Sequence, residues 1–120
     1  MTTPTPTPSP SKHEWLVILP DHKDVLQKLL EARPQHLAGV KPLAEAGAIL
    51  FGGAFFDDLP PDGETPQVKG TVLLAYAESK EKVLEQLRQD EYTNSGVWDW
   101  DKVQIYGFKT ALRKGLEGGI

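Results

Sequence analysis

The sequence contains no cysteine, and this absence excludes several kinds of site. A chain without cysteine has no disulfide, no thiolate nucleophile and no cysteine-ligated metal. The absence fits a reducing compartment, so cytoplasmic localisation is the expectation. No apolar run approaches the roughly 20 residues that a membrane-spanning helix needs, so a membrane partner is not expected.

Basic charge is also scarce. The 120 residues include 13 Lys and Arg against 17 Asp and Glu, a net charge of −4, and no basic block occurs. Nucleic acid is therefore not an expected partner. Residues 1–12, "MTTPTPTPSPSK", contain almost nothing apolar and predict a disordered tail, and the Gly-rich residues 114–120 predict a second flexible tail. One domain is left, at residues 13–113.

Within this domain, four apolar segments predict strands. They are "EWLVIL", "AILFGGAF", "GTVLLAY" and "KVQIYGF", at residues 14–19, 48–55, 70–76 and 102–108. The Gly52–Gly53 pair in the second segment predicts a bulge or a close backbone approach. With one helix after the first strand and one after the third, the order is βαββαβ. This order predicts an α+β, ferredoxin-like fold with one antiparallel sheet and both helices on one face.

The two helices have recognisable start signals and apolar faces. The first begins after Asp21 or Asp24 as its N-cap, and the second begins after Ser79. The second carries three apolar residues on one face, and residues 90–101 are expected to be irregular. The predicted buried face of the first helix is formed by Leu26, Leu30, Leu37, Val40 and Ala44.

The first strand is apolar on both sides, which a sheet with one wet face would not be. Trp15, Val17 and Leu19 point one way, and Leu16 and Ile18 the other. Helices cover only one face, so a second structure must cover the other. We expect a homodimer through the sheet face. A large apolar pocket is the alternative.

Pro34 interrupts the first helical pattern two residues before His36. Proline is costly inside a helix and well tolerated in its first turn. The sequence thus predicts that one helix ends near Glu31 and another begins at Pro34. His36 would then lie in a first turn, at the edge of the buried face, where the helix dipole favours the neutral imidazole that accepts a proton. The alternative is that His36 is a packing or surface residue.

Asp90 is the natural partner to consider for His36. It is predicted to end the second helix, where the dipole disfavours a negative charge, so it requires a donor or a cation. A hydrogen bond to the imidazole would meet that need and fix the tautomer. A simple turn-forming role for Asp90 is the alternative. The scattered histidines have no metal-ligand spacing, so no metal site is expected.

The chain resembles the YCII-related domain proteins, which are small bacterial and fungal proteins of the dimeric α+β barrel type. The resemblance spans Trp15 to Leu112 and rests on "ARPQHLAGV", "AGAILFGGAF", "GTVLLAYAES" and "DEYTNSGVWDWDKVQIYGFK". It implies a catalytic His–Asp pair at His36 and Asp90. The family usually has proline after that aspartate, where this chain has Glu91.

The resemblance also implies a class of reaction. It suggests a cofactor-free lyase or isomerase that transfers protons on a small aromatic or enol-bearing molecule. Arg33 would stabilise an anionic substrate, and Tyr92 and Trp98 would line the pocket. A solvated charge is the alternative for Arg33, and a core or dimer position is the alternative for Trp98. A non-catalytic binding or accessory protein with the same cleft is the competing function.

Overall fold

The computed structural model describes residues 11–65 and 67–115, which form one four-stranded antiparallel sheet with helices on one face. Residues 1–10 of the first predicted tail and 116–120 of the second lie outside these ranges. The strands are β1 (His13–Pro20), β2 (Ile49–Phe56), β3 (Val68–Ala77) and β4 (Gln104–Phe108). The helices are α1 (Leu26–Glu45), α2 (Lys80–Leu87), α3 (Glu91–Asn94) and a 3₁₀ turn (Trp100–Lys102). The strand order β2-β3-β1-β4 confirms the predicted ferredoxin-like topology.

The core lies between the sheet and the helices. Strand alternation sends Val17 and Leu19 of β1 to the helix-covered face, where both are fully buried. Leu73 faces Val17 across the β1–β3 ladder and is buried beside it. Val83 and Leu87 bring the apolar face of α2 onto this layer. Burial of these side chains is the main favourable contribution to the fold.

The core-facing side of α1 differs from the predicted one. Leu29 and Ala32 are its buried residues, and His36 follows them at helical spacing on the same side. Leu26, Leu30 and Leu37 are instead 40–52% exposed. The prediction was wrong because two apolar rows run along this helix, and periodicity alone does not tell which row the sheet covers.

The predicted break at Pro34 was also wrong. α1 runs without interruption from Leu26 to Glu45 and contains both Pro34 and Pro42. Both prolines are exposed, so the rings and the lost backbone hydrogen bonds face the solvent side of the helix. His36 therefore lies well inside α1, and the first-turn dipole argument does not apply to it.

The helix ends show which local signals were reliable. The Ser79 hydroxyl accepts a hydrogen bond from the Lys82 N–H at 3.2 Å, which confirms the predicted cap of α2. The predicted Asp caps of α1 were wrong: Val25 occupies that position, with no side-chain hydrogen bond. The segment expected to be irregular contains α3 and the 3₁₀ turn.

The sheet face opposite the helices carries exposed aromatic side chains. Tyr106 of β4 is 52% exposed and Phe51 of β2 is 49% exposed. Both lie on the same face as Leu16 and Leu74, because Leu74 pairs with Leu16 and Phe51, and Leu16 pairs with Tyr106. This surface is called the open sheet face below.

Glycine has a steric role in the sheet, but at a different place from the predicted one. The irregularities of β2 fall between Ile49 and Phe51 and between Phe55 and Phe56, so the expectation for Gly52–Gly53 was wrong. The close backbone approach is at Gly70 of β3. A Cβ atom there would clash with the Leu19 carbonyl oxygen and would lie 2.8 Å from the Cα of Pro20.

Within the described part of the chain, no helix has the length and apolar character needed to cross a bilayer.

Candidate active site

His36 and Asp90 meet although 54 positions separate them in the sequence. The His36 Nδ1 atom lies 2.7 Å from the Asp90 Oδ1 atom. The two side chains are 11% and 9% exposed, respectively. His36 lies inside α1, and the turn after α2 brings Asp90 to it. The predicted contact is therefore present, while its catalytic role remains a prediction.

Asp90 is held by a different feature from the one predicted. α2 ends at Leu87, and Asp90 is the N-cap of α3. Its Oδ1 atom accepts the Tyr92 N–H at 2.9 Å as well as contacting His36. A carboxylate is favoured at a helix N-terminus, so the premise that Asp90 sits at an unfavourable helix end was wrong.

This geometry selects one tautomer of the imidazole. An ionised carboxylate only accepts hydrogen bonds, so His36 must donate its Nδ1–H to Asp90. In the neutral ring the lone pair is then on Nε2. The arrangement presents Nε2 as a proton acceptor and provides a negative charge that stabilises the imidazolium formed afterwards.

Two aromatic rings fix the orientation of His36. The Tyr92 ring stacks on the imidazole with centroids 3.8 Å apart and planes at 9°. The Trp98 ring meets the imidazole edge-on at 5.9 Å and meets Tyr92 at 5.7 Å. Trp98 is 1% exposed and its indole N–H donates to the Thr71 hydroxyl at 3.2 Å. The structure thus brings Tyr92 and Trp98 to His36, with Trp98 also part of the core.

Arg33 lies one helical turn before His36 on α1 and is exposed. Burial raises the pKa of the Tyr92 hydroxyl, and the charges of Asp21 and Asp90 raise it further. The positive charge of the Arg33 guanidinium acts in the opposite direction and lowers this pKa. The hydroxyl therefore stays protonated at neutral pH. Arg33 provides a positive charge next to the aromatic cluster.

Asp21 belongs to the same neighbourhood and was missed as a site residue by sequence reasoning. It follows β1 directly and pairs with Trp98 in an isolated β-bridge. Both carboxyl oxygens are buried and have no hydrogen-bond partner among the described residues. Burial raises the pKa of Asp21 to about 6, while His22 acts in the opposite direction. Side chains alternate between the two faces of a strand, so Asp21 is expected on the same face as Leu19. This pattern in the sequence could have indicated that Asp21 is buried.

The stability of the protein should depend on pH through Asp21. Its folded pKa is above the unfolded value of about 3.9, so the native state binds the extra proton. The stabilisation is complete below about pH 4 and is lost as the pH rises through about 6. Between pH 4 and pH 7 we expect the free energy of unfolding of wild type to fall by about 1–2 kcal/mol relative to that of Asp21→Asn. The expected fall is small because solvent screening weakens the effect of a half-buried group.

Urea unfolding of both proteins at four pH values would measure this difference. Asp62→Asn, in the exposed loop before β3, is the control and should follow wild type. Other groups also make stability depend on pH, including Glu14, whose pKa is lowered by its hydrogen bonds to Thr110. Their contributions are the same in wild type and Asp21→Asn and cancel in the difference between the two proteins. A constant stability difference between wild type and Asp21→Asn would contradict the expectation.

Surface clefts occur elsewhere on the domain. One has a volume of about 440 Å³ and is bounded by β3 and α2 residues such as Tyr76 and Lys82. A second of about 300 Å³ lies beside the site between α1 and α3, at Gln35 and Glu91. Neither of these two clefts is lined by His36 or Asp90. Residues 11–65 and 67–115 include no cluster of three or more His, Asp or Glu arranged to hold a metal ion.

Comparison with solved structures gives a clear match of fold. The chain is similar to the 5-chloro-2-hydroxyhydroquinone dehydrochlorinase TftG of Burkholderia phenoliruptrix AC1100, solved in complex with 2,5-dihydroxybenzoquinone. The TM-score is 0.68 at 23% identity, covering 80% of this chain and 93% of that chain. At this identity the likeness concerns the fold.

Sequence relatives occur among fungal proteins. The chain is 38% identical over 97 residues to fusaric acid biosynthesis protein 2 of Gibberella fujikuroi, covering 81% of this chain and 93% of that protein. It is 40% identical over 98 residues to aspartate kinase FUB3 of Fusarium oxysporum f. sp. lycopersici, covering 82% of this chain. The chain spans only 18% of the length of that kinase.

The family assignment follows from a match over most of the chain. Residues 14–109 correspond to the YCII-related domain, a range that includes all four strands except the first residue of β1, the helices and the His36–Asp90 contact. This chain is therefore a member of the YCII-related domain family.

Proposed function

We propose that the protein is a cofactor-independent enzyme of the lyase or isomerase type that transfers a proton on a small aromatic or enol-bearing molecule. His36 is the general base and Asp90 is its orienting partner. The observation that carries the proposal is the 2.7 Å contact between His36 Nδ1 and Asp90 Oδ1, which leaves Nε2 as the accepting nitrogen. Support also comes from relatives named for small-molecule chemistry.

The proposed step needs only groups of this chain. Nε2 of His36 takes a proton from a hydroxyl or an activated C–H group of the substrate. The electron pair stays on the substrate as a phenolate or enolate, and the proton stays on the ring, which becomes an imidazolium stabilised by Asp90. Arg33 offsets the negative charge that develops on the substrate oxygen. Tyr92 and Trp98 provide the apolar wall that excludes water.

A screen followed by a turnover assay tests this function. Small phenols, hydroxyquinones and lactones are first ranked by thermal shift, with 5-chloro-2-hydroxyhydroquinone included because TftG is named for it. Each hit is then assayed for turnover in buffer with a chelator and no added cofactor. Turnover that His36→Asn abolishes supports the enzyme. Tight binding with no turnover of any hit would favour the non-catalytic binding protein.

The same proposal includes a homodimer formed through the open sheet face. Phe51, Tyr106 and Phe108 are 43–52% exposed on this face, and an obligate dimer interface of this kind buries on the order of 2,000 Å² or more. Pairing two such faces would enclose a double-layered sheet between outer helices. This arrangement explains why β1 is apolar on both sides.

Introducing a charge on the open sheet face should dissociate this dimer. Phe51→Glu places a carboxylate where apolar side chains are expected to meet, and we expect dimer affinity to fall at least about 100-fold. Light scattering across micromolar concentrations measures the mass. Leu59→Glu, at a 78% exposed loop position, is the control and should keep the wild-type mass. A wild-type protein that is monomeric at these concentrations would refute the dimer.

A further inference from the structure

Asp21 lies against the aromatic cluster that holds His36. It is bridged to Trp98 in antiparallel register, so the two side chains project from the same side of the chain pair. The Trp98 ring in turn lies 5.9 Å from the His36 ring and 5.7 Å from the Tyr92 ring. A second carboxyl group is thereby placed beside the candidate active site.

The backbone at Asp21 is hydrogen-bonded on both sides, but its carboxyl group has no hydrogen-bond partner among the described residues. The Asp21 N–H donates to the Lys69 carbonyl at 2.8 Å, and the next residue, His22, donates to the Val97 carbonyl at 2.8 Å. Both side-chain oxygens are buried, with no partner in residues 11–65 and 67–115. Asp90, in contrast, uses its Oδ1 atom for two contacts.

An unpartnered buried carboxyl group destabilises a fold, because it loses hydration and gains no hydrogen bond. A partner from outside the described residues would remove this cost. Burial raises the pKa of Asp21 to about 6, with His22 opposing, and Asp21 contributes to the raised pKa of Tyr92. Around pH 6 both the protonated and the ionised forms of the group are populated, so it is able to donate or accept a hydrogen bond.

We propose that Asp21 is a substrate-contacting residue whose carboxyl group hydrogen-bonds to an oxygen of a small hydroxylated ring compound bound against Trp98 and His36. The proposal rests on the proposed function for its site and its substrate class. It adds a second carboxyl group with a role distinct from that of Asp90. Asp90 orients the base, while Asp21 recognises a substrate oxygen.

Calorimetric titration with 2,5-dihydroxybenzoquinone at pH 6 tests this role. Asp21→Ala should raise the Kd of the probe about tenfold or more, the usual effect of losing one hydrogen bond to an ionisable group. Asp21→Asn should lie between Asp21→Ala and wild type, because an amide still forms hydrogen bonds but cannot ionise. Asp62→Ala removes one carboxylate from an exposed loop and should stay within about twofold of wild type.

A second measurement uses wild-type protein and so does not depend on how the variants fold. The side-chain carboxyl ¹³C resonance of Asp21 should shift when the probe is added, while that of Asp62 should not. Unchanged affinity in Asp21→Ala, or an Asp21 resonance that ignores the probe, would overturn the role of Asp21 alone. If wild type failed to bind the probe, the role of Asp21 towards a hydroxylated ring compound would be overturned, while the turnover screen decides the proposed function separately. Probe binding that depends on Asp21, together with no turnover of any screened compound, would overturn the proposed catalysis and leave the role of Asp21 in place.

Discussion

Replacing His36 by asparagine should abolish turnover while leaving the fold intact. The asparagine side-chain amide can still donate to Asp90 from near the position of Nδ1, but it has no second nitrogen with a lone pair. We expect a loss of at least about 10³-fold in kcat, the scale on which general bases contribute. The substitution removes the imidazole that stacks on the Tyr92 ring, so the fold must be checked. Circular dichroism and thermal melting provide this check.

His13→Ala provides the matched control, because it removes an exposed imidazole at the start of β1. It should retain wild-type turnover and a similar Tm. Full activity in His36→Asn would refute a general base at this position.

Asp90→Asn should cost most of the activity for a separate reason. Asparagine is as good an N-cap as aspartate, so α3 keeps its cap and stability should change by less than about 1 kcal/mol. The oxygen that keeps the cap is also the one that contacts His36, so His36 Nδ1–H then donates to a neutral amide oxygen. The imidazolium formed during catalysis loses the negative charge that stabilises it. We expect kcat to fall by about 10²–10⁴-fold.

The double variant shows whether the two side chains act as a unit. His36→Asn combined with Asp90→Asn should be hardly worse than His36→Asn alone, because Asp90 has no base left to orient. Losses that multiply would contradict a single functional unit. The ¹⁵N resonances of His36 report the tautomer independently of any substrate, and we expect Nδ1–H both in wild type and in Asp90→Asn.

Replacing Gly70 by alanine should destabilise the fold by about 3 kcal/mol or more and lower the Tm by roughly 10–20 °C. Gly70 lies in β3 between Pro20 of β1 and Phe55 of β2. An added Cβ would clash with the Leu19 carbonyl oxygen and approach Phe55 Cε1 to 2.6 Å. The phenyl ring can rotate, but the paired backbone can move only by separating the strands.

The neighbouring strand provides a control for this substitution. A Cβ on Gly53 of β2 would have no atom within 4 Å. Gly53→Ala should therefore be neutral or stabilise the protein by about 0.4–1 kcal/mol through the unfolded state. Thermal melts of both variants measure the difference. Equal melting temperatures would show that the Leu19–Gly70 approach is not tight.

Much of the fold was predictable because its signals are local. The apolar segments at β1 and β3 and the Ser79 cap depend on neighbouring residues only, and the order of elements restricts the topology to few choices. The apolar residues on both sides of β1 also led to the expectation of a homodimer through the second sheet face, which stays a prediction. His36 and Asp90 were identified as candidates from residue type and from the family resemblance.

Only the tertiary structure decided which atoms meet. α1 carries two apolar rows, and the periodicity of the sequence does not tell which of them packs against the sheet. In the structure the row of Leu29 and Ala32 is buried, and His36 lies beside it. That packing also outweighs the cost of Pro34, so α1 continues where local rules predicted an end. The burial of Asp21 depends in the same way on Trp98, which is distant in sequence. The sequence by itself determined the four strands and their order relative to the two main helices, whereas long-range packing determined the faces that these elements bury and hence the site.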